Sequence, residues 1–203
     1  MHFANAPAPR SAKGRNTVRS LMDGAVEVFA RDGYVNARVS DISAAAGLSN
    51  GAFYRYFTDK RHVMLNVLGE FLGKSDEYVA TSFQPDDPTR SVRVSTERYF
   101  EFYAEHADLH QLLIQVGQAD PEVEELRISA AEAWYRRMAR MLKRADDLGL
   151  VKPGVDVELW GVLIGGLAEN YAYLAFVAKR DVPTDPKTVA DQVTLIWAST
   201  VFK

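Results

Sequence analysis

The chain has 203 residues, enough for one mid-sized domain or for a small module fused to a larger one. It contains no cysteine, which excludes disulfide scaffolds, thiol nucleophiles, thiolate metal sites and iron–sulfur clusters. Its hydrophobic content of 47% and charged content of 25% are those of an ordinary globular protein rather than of a disordered one. The first ten residues contain no apolar run of signal-peptide length, so we expect a cytoplasmic protein.

The net charge of -3 conceals an uneven distribution of charge along the chain. Residues 1–61 hold nine of the 24 basic residues and five of the 27 acidic ones, so basic residues are in excess there. In residues 62–203 acidic residues outnumber basic ones by 22 to 15. Opposite signs in two segments indicate two roles, with the basic segment placed to meet a polyanion.

The N-terminal third is predicted to form an arm followed by four helices. Residues 1–13, with two prolines and two basic side chains, are predicted to be a flexible basic arm. Apolar residues then recur at three- and four-residue steps from residue 17, which predicts a helix closed at Asp32-Gly33. Ser49 is predicted to cap the third of these helices. The later helices are expected over residues 39–46, 50–57 and from 58 to at least 72, with a tight turn over 47–49.

The remainder of the chain is predicted to be helical throughout. Six prolines beyond residue 84 divide it into segments, and no segment shows the sustained alternation that is typical of strands. We therefore predict an all-α fold. The further helices are expected near residues 89–105, 108–118, 121–148, 156–179 and 185–201.

Short helices joined by a tight glycine-containing turn are typical of a helix-turn-helix module, whose later helix lies in the DNA major groove. The run from Val18 to Leu68 resembles the N-terminal domain of the TetR family of bacterial transcriptional regulators. The resemblance implies a helix-turn-helix DNA-binding domain over residues 14–60 and a larger helical ligand-binding and dimerisation domain over 61–203. The residues that carry it are Ala25, Phe29, Gly33, Tyr34, Val39, Ile42, Ala46, Gly47, Leu48, Ser49, Gly51, Phe53, Tyr54, Phe57 and Lys60.

The resemblance also implies which residues meet DNA. Asn50 is expected to bond a base edge, because an amide matches adenine in the major groove, and small neighbours let the helix enter deeply. Lys60 is expected to attract a phosphate at the start of the fourth helix. Arg38 stands where many relatives have threonine, which puts the usual capping role there in doubt and favours a longer-reach phosphate contact. The predicted DNA-binding residues are Arg38, Ser40, Ser49, Asn50, Gly51, Ala52, Tyr54, Tyr56 and Lys60.

Aromatic residues accumulate on three predicted helices of the larger segment. A cavity lined by such side chains with a few polar groups is the usual make-up of a small-molecule site. The alternative is that they fill the core, and the resemblance favours a ligand pocket. The candidate ligand-binding residues are Tyr99, Phe102, Tyr103, His106, Trp134, Tyr135, Met138, Glu169, Asn170 and Tyr173.

Two histidines, His106 and His110, are four residues apart, a spacing that gives metal-binding geometry on a continuous helix. Asp108 is predicted to cap a new helix between them, which breaks that geometry, and no third ligand is evident. We therefore expect neither a metal nor a cofactor.

The run over residues 159–178 is long and apolar enough to be considered as a membrane span, but Glu169 and Asn170 near its middle argue against one. These two polar groups belong either to a subunit interface or to the ligand pocket. A stripe of small residues in the run, together with the final helix, suits the four-helix interface between two subunits that the resemblance implies. The candidate interface residues are Gly161, Gly165, Ala168, Val193 and Trp197.

The sequence therefore favours a homodimeric transcriptional repressor that a small apolar or aromatic molecule releases from palindromic double-stranded DNA. A DNA-binding dimer without an inducer is the first alternative. An enzyme that uses the helical-domain cavity is the second, but the chain has no Gly-x-Ser-x-Gly elbow, no phosphate loop and no histidine with an obvious nucleophile partner. We expect a protein that is not an enzyme and binds no membrane.

Overall fold

The computed structural model describes residues 11–203, and within that range the chain forms helices and no strand. One isolated bridge pairs Val151 with Phe202. The prediction of an all-α fold, with an N-terminal helix-turn-helix domain and a larger helical part, is confirmed. The helices are α1 (Ala12–Asn36), α2 (Val39–Ala45), α3 (Asn50–Tyr54), α4 (Lys60–Tyr78), α5 (Pro88–Glu105), α6 (Ala107–Gly117), α7 (Pro121–Asp147), α8 (Val157–Ala172), which continues as a π-helical turn over Tyr173–Val177, and α9 (Pro186–Thr200).

The described residues divide into two compact units. The head unit contains residues 11–73 together with Gln111–Glu124. The second unit contains Lys74–His110 and Glu125–Lys203. Helices α4, α6 and α7 each have residues in both units, so three helices carry the chain from one unit to the other.

Helix α1 begins earlier than the sequence predicts. The hydroxyl of Ser11 accepts a hydrogen bond from the backbone N–H of Gly14 at 3.1 Å, so Ser11 caps a helix that starts at Ala12. Of the predicted arm, residues 11–13 thus belong to this helix end, and residues 1–10 lie outside the described residues. At the other end, Gly33 has φ 74° and ψ 156°, which breaks the helical backbone at the predicted stop.

Gly24 allows α1 and α2 to pack closely. A Cβ atom at this position would lie 2.9 Å from the carbonyl oxygen of Ile42 and 3.0 Å from the backbone nitrogen of Ala46. Beside this contact Leu21, Ala25 and Ile42 are fully buried. The absence of a side chain at Gly24 therefore sets the distance at which the second helix rests on the first.

Replacing Gly24 with alanine is expected to lower the free energy of unfolding by about 1–3 kcal/mol, because the crowded atoms are backbone atoms that cannot rotate away. Denaturation in urea measures the change. Gly73→Ala is the control, since nothing lies within 4 Å of the added Cβ in helix α4 and alanine should raise stability there by up to about 1 kcal/mol. Equal stability of Gly24→Ala and the wild type would show that the helices separate at no cost.

The second unit has a core built by α5, α7, α8 and α9. Its largest fully buried side chains include Phe100, Met138, Leu142 and Trp197. Burial of such side chains supplies most of the favourable free energy of folding for a helical domain. None of the helices described is both long and apolar enough to cross a membrane.

The small-residue stripe of α8 faces α7 of the same chain. A Cβ atom at Gly161 would lie 2.7 Å from the Cβ of Ala139, and one at Gly165 would collide with the ring of Tyr135. The stripe permits close helix contact, as predicted, but the contact is made within one chain. The predicted interface residues are therefore corrected, because all five are buried inside the protomer: Gly161, Gly165, Ala168, Val193 and Trp197.

Candidate nucleic-acid interface and ligand site

Helix α3 presents the predicted base-reading residues to solvent. Gly47, with φ 67°, makes the turn that leads into it, and the hydroxyl of Ser49 accepts from the backbone N–H of Ala52 at 3.3 Å, which caps its first turn. Phe53 is fully buried, with its ring 5.7 Å from that of Phe57, and holds the helix to the head unit.

Because Phe53 faces inward, the opposite face of α3 is left exposed. Asn50 and Gly51 lie on it, and Tyr54 is 60% exposed. A Cβ atom at Gly51 would have Ser49 Oγ as its nearest neighbour at 3.8 Å, so packing within the chain does not require glycine there. The arrangement leaves the first turn of α3 accessible to a base edge, and Ala52 beside it is half-buried.

Residues flanking α3 give the interface its remaining polar groups. Arg38 is the N-cap residue of α2 and is exposed, and its side chain makes no capping hydrogen bond, in agreement with the doubt raised by the sequence. Ser40 is exposed, with its hydroxyl 3.4 Å from a carboxylate oxygen of Asp41. Tyr56 is half-buried, and the guanidinium of Arg55 lies 5.9 Å from its ring centre.

Lys60 has a structural role that the sequence did not indicate. Its ammonium donates hydrogen bonds to the carbonyl oxygens of Tyr34, Val35 and Ala37 at 2.9, 2.9 and 3.0 Å. It also lies 4.9 Å from the centre of the Tyr34 ring. Since these bonds use all three N–H groups, a phosphate would have to displace a carbonyl to reach the ammonium. Lys60 thus ties the start of α4 to the segment between α1 and α2.

The neighbouring Arg61 forms partly exposed ion pairs with two carboxylates. Its guanidinium donates to both carboxylate oxygens of Asp120, at 2.7 and 3.1 Å, and to Glu122 at 2.6 Å. The hydrogen bond from Arg61 is the largest cause that lowers the pKa of Asp120. Asp120 lies 59 residues away and just before α7, so sequence spacing carries no signal for this contact.

Ion pairing decides which basic residues of the head unit remain available to a polyanion. Arg19 pairs with Asp23 and Glu70, and Arg31 pairs with Asp32. Together with Lys60 and Arg61, nearly half of the basic residues of the N-terminal segment are thus engaged within the chain. Among residues 11–61, the exposed basic residues for which the structure shows no ion pair are Lys13, Arg15, Arg38 and Arg55, and of these only Arg38 was predicted as a DNA contact.

Stacked aromatic rings form the centre of the second unit. The ring of Tyr99 stacks on that of Trp134 with centroids 4.3 Å apart, and it lies 5.9 Å from the ring of Tyr103. The ring of Tyr103 in turn stacks on that of His110, with centroids 3.5 Å apart. Trp134 is 5% exposed, and its indole N–H has no hydrogen-bond partner among the described residues. A buried donor of this kind is a polar group that a bound molecule can satisfy.

Glu169 adds a carboxylate to these rings. The hydroxyl of Tyr135 donates a hydrogen bond to its Oε2, and Nη1 of Arg127 lies 3.6 Å from its Oε1. Burial raises the pKa of Tyr99, Tyr103 and Tyr135, and the Glu169 charge raises each further. The three phenols therefore stay protonated at neutral pH and can donate hydrogen bonds.

A π-helical turn follows Glu169 and was not predicted. It spans Tyr173–Val177 and places the ring of Phe176 6.2 Å from that of Tyr103. Such turns occur frequently at functional sites because they re-aim side chains within a helix. Tyr173, a predicted ligand residue, begins this turn and is 38% exposed.

The other predicted ligand residues are distributed differently. The rings of Phe102 and His106 stack with centroids 4.2 Å apart, and the ring of Tyr78 lies with its centroid 5.7 Å from that of Phe102. Met138 is 1% exposed and belongs to the core, whereas Asn170 is exposed. The structure thus packs the rings of Tyr99, Tyr103 and Trp134 against one another and joins Tyr135 to Glu169 by a hydrogen bond.

A helix break at His106 separates it from His110, as the sequence predicts, although Asp108 lies in the first turn of α6 and does not cap it. His106 has non-helical backbone angles at the end of α5, and α6 begins at Ala107. Burial lowers the pKa of His110 to about 3, so its imidazole is neutral at pH 7. Within residues 11–203 no three histidine or carboxylate side chains are arranged to hold a metal ion.

Comparison with known proteins agrees with this geometry. Residues 21–67 match the family model described as bacterial regulatory proteins, tetR family. The HTH-type transcriptional regulator EthR of Mycolicibacterium smegmatis is 21% identical, over 98% of this chain and 96% of its own. The fatty acid metabolism regulator protein of Bacillus subtilis is 25% identical, over 74% of this chain and 78% of its own. The solved structure of a TetR transcriptional regulator from Chloroflexus aurantiacus matches with a TM-score of 0.76 at 21% sequence identity. The match covers 95% of this chain and 99% of that one.

The exposed face of α3 and the turn before it define a helix-turn-helix DNA-binding protein. The chain resembles the TetR family of bacterial transcriptional regulators over residues 21–67, and the resemblance predicted from its sequence is confirmed. It is a transcriptional regulator, as its relatives are.

Proposed function

We propose that the protein is a cytoplasmic homodimeric repressor that leaves a palindromic operator when a small molecule binds the second unit. The observation that carries the proposal is the exposed first turn of α3, where Asn50 and Gly51 are held outward by the buried Phe53. Two such helices related by a two-fold axis would enter successive major grooves. Effector and operator would then weaken each other's binding by the same factor, as linkage requires.

Selection from random duplex DNA with the purified protein tests the proposal. We expect enrichment of a palindrome whose half-sites are about one helical turn apart. Affinity for that duplex should fall steeply as salt rises, because exposed basic residues release counterions from phosphates. Enrichment of no sequence above non-specific binding would contradict the proposal.

The dimer is proposed to form through leucine-rich surfaces of α8 and α9. The residues buried inside the protomer leave other apolar residues of these helices exposed, and four of them recur at three- and four-residue steps along one side of α8. Exposed apolar groups on two helices are typical of a four-helix subunit interface. We define the α8–α9 face as Leu159, Val162, Leu163, Leu167, Leu195 and Ile196.

Coupling between effector and operator is proposed to pass through the first two residues of α4. Lys60 binds carbonyl oxygens between α1 and α2, and Arg61 binds Asp120 and Glu122 at the start of α7. The two contacts join the recognition module to a segment of the chain that continues into the second unit. A shift of α7 would therefore move the carboxylates that Arg61 binds and, through Arg61, displace the start of α4.

Arg61→Gln is expected to retain operator binding without effector and to reduce the loss of operator affinity that effector causes. It should also lower the free energy of unfolding by about 1 kcal/mol, since the pairs are partly exposed and screened by solvent. Because the pKa of Asp120 is lowered in the folded state, this difference is present above the unfolded pKa of about 3.9 and is lost as pH falls through the folded pKa.

Urea denaturation at pH 7 and in the acidic range measures this effect. Arg136→Gln is the control, because that arginine forms an exposed pair with Glu132 within one helix and its loss should change stability little. An Arg61→Gln protein whose operator affinity responds to effector as the wild type does would contradict the coupling role.

A further inference from the structure

A cavity lies between α5 and the segment that joins it to α4. Its volume is about 340 Å³, which is enough for a small organic molecule, and it opens to solvent. Two arginines line it, and none of its described lining residues is acidic or aromatic. It is therefore separate from the stacked rings of the second unit. The polar lining residues are Thr81, Ser82, Gln84, Arg90, Ser91 and Arg98.

Hydrogen bonds fix the wall of the cavity that lies beside α5. The backbone N–H of Gln84 donates to Oγ of Ser91 at 2.8 Å, and Nη1 of Arg98 donates to the carbonyl oxygen of Ala80 at 3.0 Å. These bonds tie both ends of the segment over residues 80–84 to the helix. The wall is thus formed without a ligand, so binding would not have to order this segment first.

Both arginines keep N–H groups for a ligand. Arg90, Val94 and Arg98 follow one another at four-residue steps, which places them on one face of α5. Both arginines are exposed. Among the described residues the side chain of Arg90 forms no hydrogen bond or ion pair, and Arg98 forms no ion pair. Since a guanidinium carries five N–H donors, the bond from Arg98 to Ala80 leaves most of them unused.

Acidic residues next to these arginines are engaged elsewhere. Asp87 caps the first turn of α5 by accepting a backbone N–H at 2.8 Å. Glu97 forms an ion pair with Arg93, and Glu101 accepts a hydrogen bond from the Tyr78 hydroxyl at 3.0 Å. These carboxylates therefore do not neutralise the two positive charges of the cavity, which favours an anionic ligand.

Thr81 adds a hydroxyl to the cavity wall. Its Oγ1 is buried and forms no hydrogen bond within the part of the chain that the structure describes. Buried polar groups are normally paired, so this hydroxyl is a donor that a bound molecule can satisfy. A guanidinium can donate two parallel hydrogen bonds to a phosphoryl or carboxylate group, so each arginine can hold one acidic group.

We propose that this cavity binds a small organic anion with two acidic groups, phosphoryl or carboxylate. Arg90 and Arg98 hold one acidic group each, and the hydroxyl of Thr81 donates a further hydrogen bond. The site is independent of the proposed repressor function, because none of its residues belongs to the stacked rings or to the head unit.

Pyrophosphate and succinate are the probes, because they carry two phosphoryl and two carboxylate groups. In calorimetric titrations at constant ionic strength, one of them should bind the wild type about tenfold or more tightly than its single-acid counterpart, phosphate or acetate. The probe that binds more tightly identifies the acidic group that the site prefers.

Arg90→Gln should weaken binding of that probe by about tenfold, because it removes one guanidinium. The variant should unfold at the wild-type temperature, since the side chain of Arg90 forms no hydrogen bond or ion pair among the described residues. Thr81→Val keeps the shape of the side chain and removes its hydroxyl, so it should weaken binding by about fivefold.

Arg140→Gln is the matched control, because that arginine is exposed in α7 of the same unit and does not line the cavity. Its affinity for the probe should equal that of the wild type. The proposal is overturned if neither probe exceeds its counterpart, if Arg90→Gln binds as the wild type does, or if Arg140→Gln weakens binding as much as Arg90→Gln does. These titrations use no DNA, so their failure and failure of the operator selection are distinguishable.

Discussion

Leu163→Glu is expected to convert the protein to a monomer and to weaken operator binding by about 100-fold or more. Leu163 is 53% exposed in the α8–α9 face and would be covered by a second copy in the proposed dimer. Two-fold symmetry would place two new carboxylates in that interface, where unpaired charges are strongly unfavourable. A monomer loses the gain in affinity that comes from linking two half-site contacts.

Sedimentation velocity measures the oligomeric state, and fluorescence anisotropy with the selected operator measures affinity. Leu148→Glu is the matched control, because Leu148 is 54% exposed and lies outside the α8–α9 face, so this variant should remain dimeric. Circular dichroism should give the wild-type helical signal for both variants. A dimeric Leu163→Glu protein with full operator affinity would place the interface elsewhere.

Asn50→Ala is expected to weaken binding to the selected operator by about 1–3 kcal/mol for each half-site and to relax the preference at one base pair. Asn50 is exposed at the start of α3, where its amide can form two hydrogen bonds with a base edge. The slope of affinity against salt should stay unchanged, because the substitution removes no charge and no phosphate contact.

Repeating the random-duplex selection with Asn50→Ala measures the change in preference. Binding to a scrambled duplex supplies the control, since non-specific affinity depends on phosphate contacts and should equal that of the wild type. An identical base preference in wild type and variant would remove Asn50 from base readout.

The helices could be predicted because their signals are local. Apolar spacing, Ser49 as a cap, and Gly33 and Gly47 as breaks all act within a few residues, and each is present in the structure. The outward face of α3 follows from the same periodicity, since burying Phe53 and Phe57 turns Asn50 to solvent. The exposed face of the candidate interface was therefore accessible to sequence reasoning, whereas the exposed Arg55 was not singled out, because its charge has no fixed place in that periodicity.

The remaining errors concern what a residue packs against. The glycines of α8 correctly indicated close helix contact, but spacing does not say whether the neighbouring helix belongs to the same chain or to another. Here Gly161 and Gly165 meet α7 of the same chain, whereas the leucines of the α8–α9 face are exposed. On this helix the stripe of small residues thus packs within the chain, and the stripe of large apolar residues lies on the surface.

Long-range polar contacts were also beyond the sequence. Lys60 bonds carbonyl groups more than twenty residues away, and Arg61 bonds a carboxylate 59 residues away. Nothing in the local pattern distinguishes these side chains from solvated charges. The same holds for Glu169, whose carboxylate contacts Tyr135 and Arg127, 34 and 42 residues away in the sequence.

The most direct test of a dimeric reader of palindromic DNA compares two duplexes. One carries the selected palindrome, and the other has one half-site scrambled. We expect two protomers on the intact palindrome and an affinity lower by about 100-fold or more on the scrambled duplex, because half of the base contacts are lost. Equal affinity for the two duplexes, or one protomer on the palindrome, would contradict the account.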